Sequence, residues 1–419
     1  MIARQKVEQA RECALRLLKA GRNEVERGLE LHRDAIVVET YGFGPGGNDP
    51  ARILAAIRAG ASGGELQDII EDVAMTSYVR RPEKLKEFKD LWEASGVTCI
   101  MRNTGEEGQE PARIMRRLAH YVYVTDSLKD FLPKALTPAD IRLAKRESRH
   151  CICLTCNGVP LTQDWFSIAE ELRFISLFYQ LGCRMMHLTY NRRNMLGDGC
   201  GEAANGGLSD FGRQAVAEMN RAGVIVDVAH SGWQTSLEAA KVSKKPVVAS
   251  HTSCAALQRH IRSKPDEVMR AIAEGGGLVG ICAIPAFLGR TGDINALLDH
   301  VDYAAKTIGT DFIGIGTDVG VSLSLSEEEK KLDESVAKEF PRANRRSFES
   351  LWQKDDPLFS PEWRKPDQTL SLAWTNFPLF TVGLVQRGYK EEDIRKILGG
   401  NMLRVMEAVL PEADKNNAD

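Results

Sequence analysis

Eight short apolar runs recur along this chain, and each is followed by a longer stretch with helical periodicity. They lie at 35–39 (AIVVE), 97–101 (VTCIM), 151–155 (CICLT), 185–189 (MMHLT), 224–229 (VIVDVA), 246–250 (PVVAS), 278–283 (LVGICA) and 312–317 (FIGIGT). Strands apolar almost throughout belong to a parallel sheet covered on both faces; a sheet with one wet face would alternate instead. Eight such units favour closure into a (β/α)8 TIM barrel of the α/β class over an open doubly wound sheet. No Gly-x-Gly-x-x-Gly motif follows any run, which weakens a dinucleotide-binding alternative.

Helix boundaries are marked by local chemistry. Thr137, Pro138 and Asp140 read as an N-cap, a first-turn proline and a first-turn acid. Ser209 caps a helix that should stop at Gly223, and Gly96 should close another. Residues 1–30 read as an N-terminal helix packed on the barrel. Residues 322–368 are charged and rich in proline and aromatic residues, and read as a long insertion after strand eight, near the active-site mouth. The whole of 1–419 reads as one domain.

Composition narrows the function. A hydrophobic fraction of 43% supports a large core, and a net charge of −3 offers no basic field for nucleic acid or an anionic membrane. The longest apolar runs are strand-sized, and the first residues lack the unbroken apolar core of a secretory signal, so a cytoplasmic protein is expected. Nine cysteines without a regular framework, several inside strand-like runs, read as reduced, buried thiols.

Functional groups of such barrels sit at the C-terminal ends of strands. His230 ends the fifth strand, His251 the sixth, and Asp318 the eighth. Two imidazoles with a carboxylate nearby suit a divalent metal and a proton-transfer group. His187, inside the fourth strand, reads as a satisfied core histidine, and His32, His120, His150 and His300 read as surface residues.

The stretches 207–236 (GLSDFGRQAVAEMNRAGVIVDVAHSGWQTS), 246–254 (PVVASHTSC), 182–194, 314–320 (GIGTDVG) and 397–405 resemble the membrane (renal) dipeptidase family. That resemblance implies an amidohydrolase-like metallopeptidase with a two-zinc site, cleaving dipeptides whose C-terminal residue can be of D configuration. It implies His230 and His251 as ligands of the second zinc, Asp318 as the acid at strand eight, and Arg262 as the grip on the substrate carboxylate. Three departures stand beside these matches. Tyr41 and Phe43 occupy the positions of the His-x-Asp pair that binds the first zinc, and phenylalanine cannot ligate a metal. Cys156 stands where the bridging glutamate is expected, and Tyr190 replaces a histidine that contacts the oxyanion.

The departures agree with one another. Cys156, His230 and His251 would make a single zinc site with an open fourth position. Tyr190 would donate to an oxyanion, and Tyr41 would fill space or orient substrate. The expected activity is cleavage of an amide in a dipeptide or N-acyl amino acid, a small-molecule substrate. A catalytically inactive barrel that binds a small ligand, or a different single-metal reaction, remain as alternatives. Related barrels often dimerise, so a homodimer is compatible with the sequence, although no interface is legible in it.

Overall fold

In a computed structural model the chain is described over residues 2–104, 110–162, 167–340 and 351–411. Eight parallel strands form the barrel: β1 Val38–Gly42, β2 Cys99–Asn103, β3 Cys151–Cys156, β4 Cys183–His187, β5 Ile225–Asp227, β6 Val247–Cys254, β7 Leu278–Ile281 and β8 Ile313–Ile315. Each pairs with the next in chain order. At the seam, Asp318 N–H donates to Tyr41 O (3.2 Å) and Phe43 N–H to Val319 O (3.3 Å). Just beyond it, Gly44–Gly46 and Gly320–Ser322 pair as two short parallel strands. The eight expected runs are the eight strands.

Strand parity divides the core in two. Val38, Cys99, Met101, Cys151, Cys153, Met185, Ile225, Val248 and Leu278 cluster with the C-terminal helix Asn401–Val409. Their alternating neighbours, among them Ile100, Ile152, Leu154, Val226 and Val279, cluster with the surrounding helices. Both sets are buried, which is why the strands lack polar alternation. Two glycines let the interior close: a Cβ on Gly280 or Gly316 would stand 2.0 or 2.1 Å from Ser250 O. Thr40 Oγ1 uses that space to donate to the same carbonyl at 2.7 Å.

The caps behave as their chemistry dictates. Gly96 and Gly223 terminate their helices in the left-handed conformation, with φ 61° and 83°. Ser209 Oγ accepts from Gly212 N–H, and Thr137 with Asp140 completes a reciprocal capping box.

Three expectations change. The N-terminal region is two helices, Ile2–Leu18 and Arg22–Asp34, because Gly21 breaks the first and the capping acid Glu24 starts the second. The second helix runs to Asp34, so β1 begins three residues later than its apolar run suggests and carries Tyr41 within the strand. His32, His150 and His300 are buried; the His32 ring, for instance, bonds Thr381 Oγ1 and Ser95 O at 2.8 and 2.9 Å.

All nine cysteines are free thiols. Of the insertion after β8, residues 341–350 lie outside the described residues; Trp352 and Leu358 reach the cavity at the barrel mouth. Among the described residues no helix is long and apolar enough to cross a membrane.

Candidate metal centre

The C-terminal ends of β4, β5 and β6 bring three imidazoles together. His187, His230 and His251 are buried, and their candidate ligand atoms all lie within 4.8 Å of one another. His230 Nε2 faces His251 Nε2 at 3.0 Å. The outer nitrogens are anchored: His230 Nδ1 to Asn191 Oδ1 and His251 Nδ1 to Ser250 Oγ, both at 2.8 Å. The amide oxygen of Asn191 can only accept, so His230 Nδ1 carries the proton and its Nε2 presents a lone pair. Burial, and next the nearby Arg262 guanidinium, hold both imidazoles well below their ordinary pKa.

Two neutral imidazoles face each other at a distance close to the roughly 3.3 Å separating two nitrogens on one tetrahedral zinc. This donor set fits a divalent transition metal.

His187 supplies the third nitrogen-bearing ring. Its register partner across the β4–β5 pairing is Asp227, which places the two side chains at one level of the barrel. His187 Nδ1 donates to Cys156 O at 3.1 Å, while Nε2 stands 3.0 Å from Asp227 Oδ2, out of line for a hydrogen bond. Burial opposes ionisation of Asp227, but His187 and donors from Ser250 and Ala229 outweigh it and hold this carboxyl below its ordinary range. The Cys156 carbonyl thus fixes the ring through Nδ1, leaving Nε2 as the nitrogen free to ligate, with the Asp227 carboxylate beside it. Sequence reading missed His187 because an isolated histidine in an apolar strand resembles core. The signal lay in the facing strand, where an aspartate occupies an equally apolar run.

Cys156 is not part of this cluster. Its thiol faces Cys183 Sγ at 3.3 Å and Thr104 Oγ1 at 3.7 Å, among core residues shared with the helical layer. The strand-end position was read correctly, but alternation turns residue 156 outward with Ile152 and Leu154.

Aromatic rings flank the pair of imidazoles. Tyr41 stacks on His251 with ring centroids 3.8 Å apart, and Tyr190 stacks on His230 at 4.0 Å. The Tyr41 hydroxyl donates to Asn157 Oδ1 at 2.7 Å, and Phe43 meets the Tyr41 ring edge-on. Asp318 follows β8 with φ +60°, a left-handed conformation uncommon for non-glycine residues.

A cavity of about 580 Å³ opens over these groups, with Tyr41, Asn157, Tyr190, His230 and Asp318 on its wall. Arg262 is not on that wall. It is 1% exposed, donates from Nη2 to His251 O at 3.0 Å, and lies 5.5 Å from the Phe287 ring centroid, with Nε and Nη1 unbonded. The arginine expected to grip substrate is thus buried against the His251 backbone.

The sequence description of membrane dipeptidases, peptidase family M19, matches residues 93–338 and 373–419. The chain belongs to the membrane dipeptidase family. The unmatched stretch between the two segments overlaps the insertion after β8. Among curated relatives, dipeptidase verJ of Clonostachys rogersoniana is 30% identical over 250 residues, covering 58% of this chain and 52% of its own. Dipeptidase tcpJ of Claviceps purpurea (strain 20.1) is 28% identical over 260 residues, covering 61% and 51% respectively. The chain thus spans about half the length of these curated relatives. A solved amidohydrolase from Pseudomonas aeruginosa superposes with a TM-score of 0.64 at 25% identity, over 91% of this chain and 99% of that one. The probable dipeptidase PvdM of the same organism gives 0.64 at 18% identity, over 93% and 99%, a likeness of fold. Within the family, this member pairs a strand-end histidine cluster with aromatic residues at 41 and 43.

Proposed function

We propose that this chain is a metal-dependent hydrolase of the dipeptidase type, holding one zinc ion and cleaving an amide bond in a dipeptide or N-acyl amino acid. The observation that carries the reading is the convergence of His187, His230 and His251 at the barrel mouth. These three residues, rather than Cys156, would hold the ion. A divalent ion held there would supply Lewis acidity toward the amide carbonyl and acidify a water for attack.

The chain's own residues do the rest. Asp318, on the cavity wall, takes the proton released from the attacking water and returns it to the leaving amine. The Tyr190 hydroxyl donates to the oxygen that gains charge as the carbonyl is attacked. Tyr41 orients substrate: its ring fixes the plane of His251, and it shares the cavity wall with Asn157, which its hydroxyl engages.

Elemental analysis of purified protein, paired with a panel of dipeptides and N-acyl amino acids, tests the reading. One zinc per chain with amide hydrolysis is expected. Protein that takes up no transition metal after supplementation would refute it. Full metal occupancy with no hydrolysis across the panel would favour a ligand-binding barrel, a reading motivated by the aromatic rings at positions 41 and 43. Hydrolysis with a different metal would remove zinc and keep the reaction.

A further inference from the structure

Arg102 lies at the end of β2, and its side chain forms part of the wall of the 580 Å³ cavity. The residue is only 8% exposed. Its Nε donates to the Tyr121 hydroxyl at 2.6 Å. The guanidinium carbon lies 5.1 Å from the Tyr121 ring centroid and 5.7 Å from that of Phe43. Nη1 is buried and has no hydrogen-bond partner.

No carboxylate among the described residues forms an ion pair with this cation. Glu71, on the same wall, is engaged by Arg113 and Arg117, each at 3.1 Å. Glu39 accepts from Thr317 and from Trp374 Nε1. A buried cation without a counter-charge is costly, and an orphaned N–H on it adds to the cost. Tyr121 and Phe43 preorganise the guanidinium while leaving it without an ion-pair partner among the described residues, although the Glu39 carboxyl feels its charge. That combination suits a group waiting for an anion. A carboxylate is the anion a guanidinium binds best through parallel hydrogen bonds.

We propose that Arg102 is the anion anchor of this cavity and receives the carboxylate of the substrate, making it a specificity-determining residue. The word substrate rests on the hydrolase reading above; the anion site itself needs neither metal nor turnover. Arg262, which is not on the cavity wall, serves as the control.

The test compares L-alanyl-L-alanine with its C-terminal amide, a pair differing in one charge. Binding is measured by titration calorimetry with and without added zinc, and KM is measured wherever turnover occurs. The wild type should bind the acid at least 10-fold more tightly than the amide. Arg102→Met should bind the two alike, and Arg262→Met should keep the preference. Melting temperature and metal content report on folding. If Arg102→Met does not fold, Arg102→Lys, which keeps the charge and loses the fork, should show a reduced acid preference. A wild type indifferent to the charge, or an Arg102 variant with the preference intact, overturns the proposal. A merely structural Arg102 would weaken acid and amide equally, which also overturns it. Acid selectivity in a protein that holds no zinc would sink the hydrolase reading and leave the anchor standing.

Discussion

Replacing Glu39 with glutamine should make the protein relatively more stable as pH rises, by an amount the structure bounds. Glu39 is fully buried at the β8–β1 seam, and burial pushes its carboxyl up to about 8, against partial relief from the Thr317 and Trp374 donors. In the unfolded chain a glutamate titrates near 4.3. Between those two values the folded protein keeps a proton that the unfolded chain has released. Stability tied to that proton is complete below the unfolded pKa and is lost as pH climbs through the folded one. Each pH unit inside the window costs the native state about 1.4 kcal/mol, hence on the order of 4 kcal/mol between pH 5 and 8. Glutamine does not titrate and occupies nearly the same space. With unfolding entropies of roughly 2 cal/mol/K per residue, that energy corresponds to about 4 °C in a chain of 419 residues. Thermal melts of wild type and Glu39→Gln at pH 5, 6, 7 and 8, in reductant, read the gap directly, and groups common to both cancel in the difference. The melting-temperature gap should move in favour of the variant by about that amount. A gap constant across the range would refute the claim that Glu39 is held protonated.

Two further outcomes concern the metal centre. Cys156→Ala should leave metal content unchanged, whereas His187→Ala should weaken zinc affinity; competition with a chelator measures both. Asp318→Asn should lower kcat by about 10²- to 10⁴-fold, the range of a general acid–base group, with zinc content unaltered; equal activity would remove Asp318 from proton transfer.

The barrel was legible because both faces of each strand are dry, so eight apolar runs separated by helical segments leave few other folds. Strand edges were less legible. The run at 35–39 overlaps the end of a helix whose last turn reaches Asp34, and apolar character alone does not say where helix yields to strand. At the site, strand-end placement pointed to His230 and His251, which the barrel brings together with His187, and to Asp318 on the cavity wall. It misassigned Cys156 because position along a strand does not give the face, and a one-residue difference turns a side chain from the barrel interior to the helical layer. His187 was hidden for the complementary reason: its partner Asp227 lies 40 residues away in sequence, and only the β4–β5 register joins them. The burial of Arg262 was hidden on a different scale. Its spacing after His251 is visible in sequence, but the packing that removes it from the cavity is tertiary.

Tyr41, at a position where the family resemblance implies a histidine, and Tyr190 both pack on the pair of imidazoles. Tyr41 lies flat on His251 with an interplanar angle of 14°, and Tyr190 lies on His230 at 23°. Each ring covers one face of an imidazole whose Nδ1 is already anchored, so the pair is confined both in plane and in rotation. Covering the faces also excludes water, which favours the neutral form that a metal requires. A histidine at position 41 would offer a ligand but would surrender the hydroxyl bond to Asn157 and part of the stacked surface against His251. The ring at position 41 is thus part of the packing that holds His251 in place.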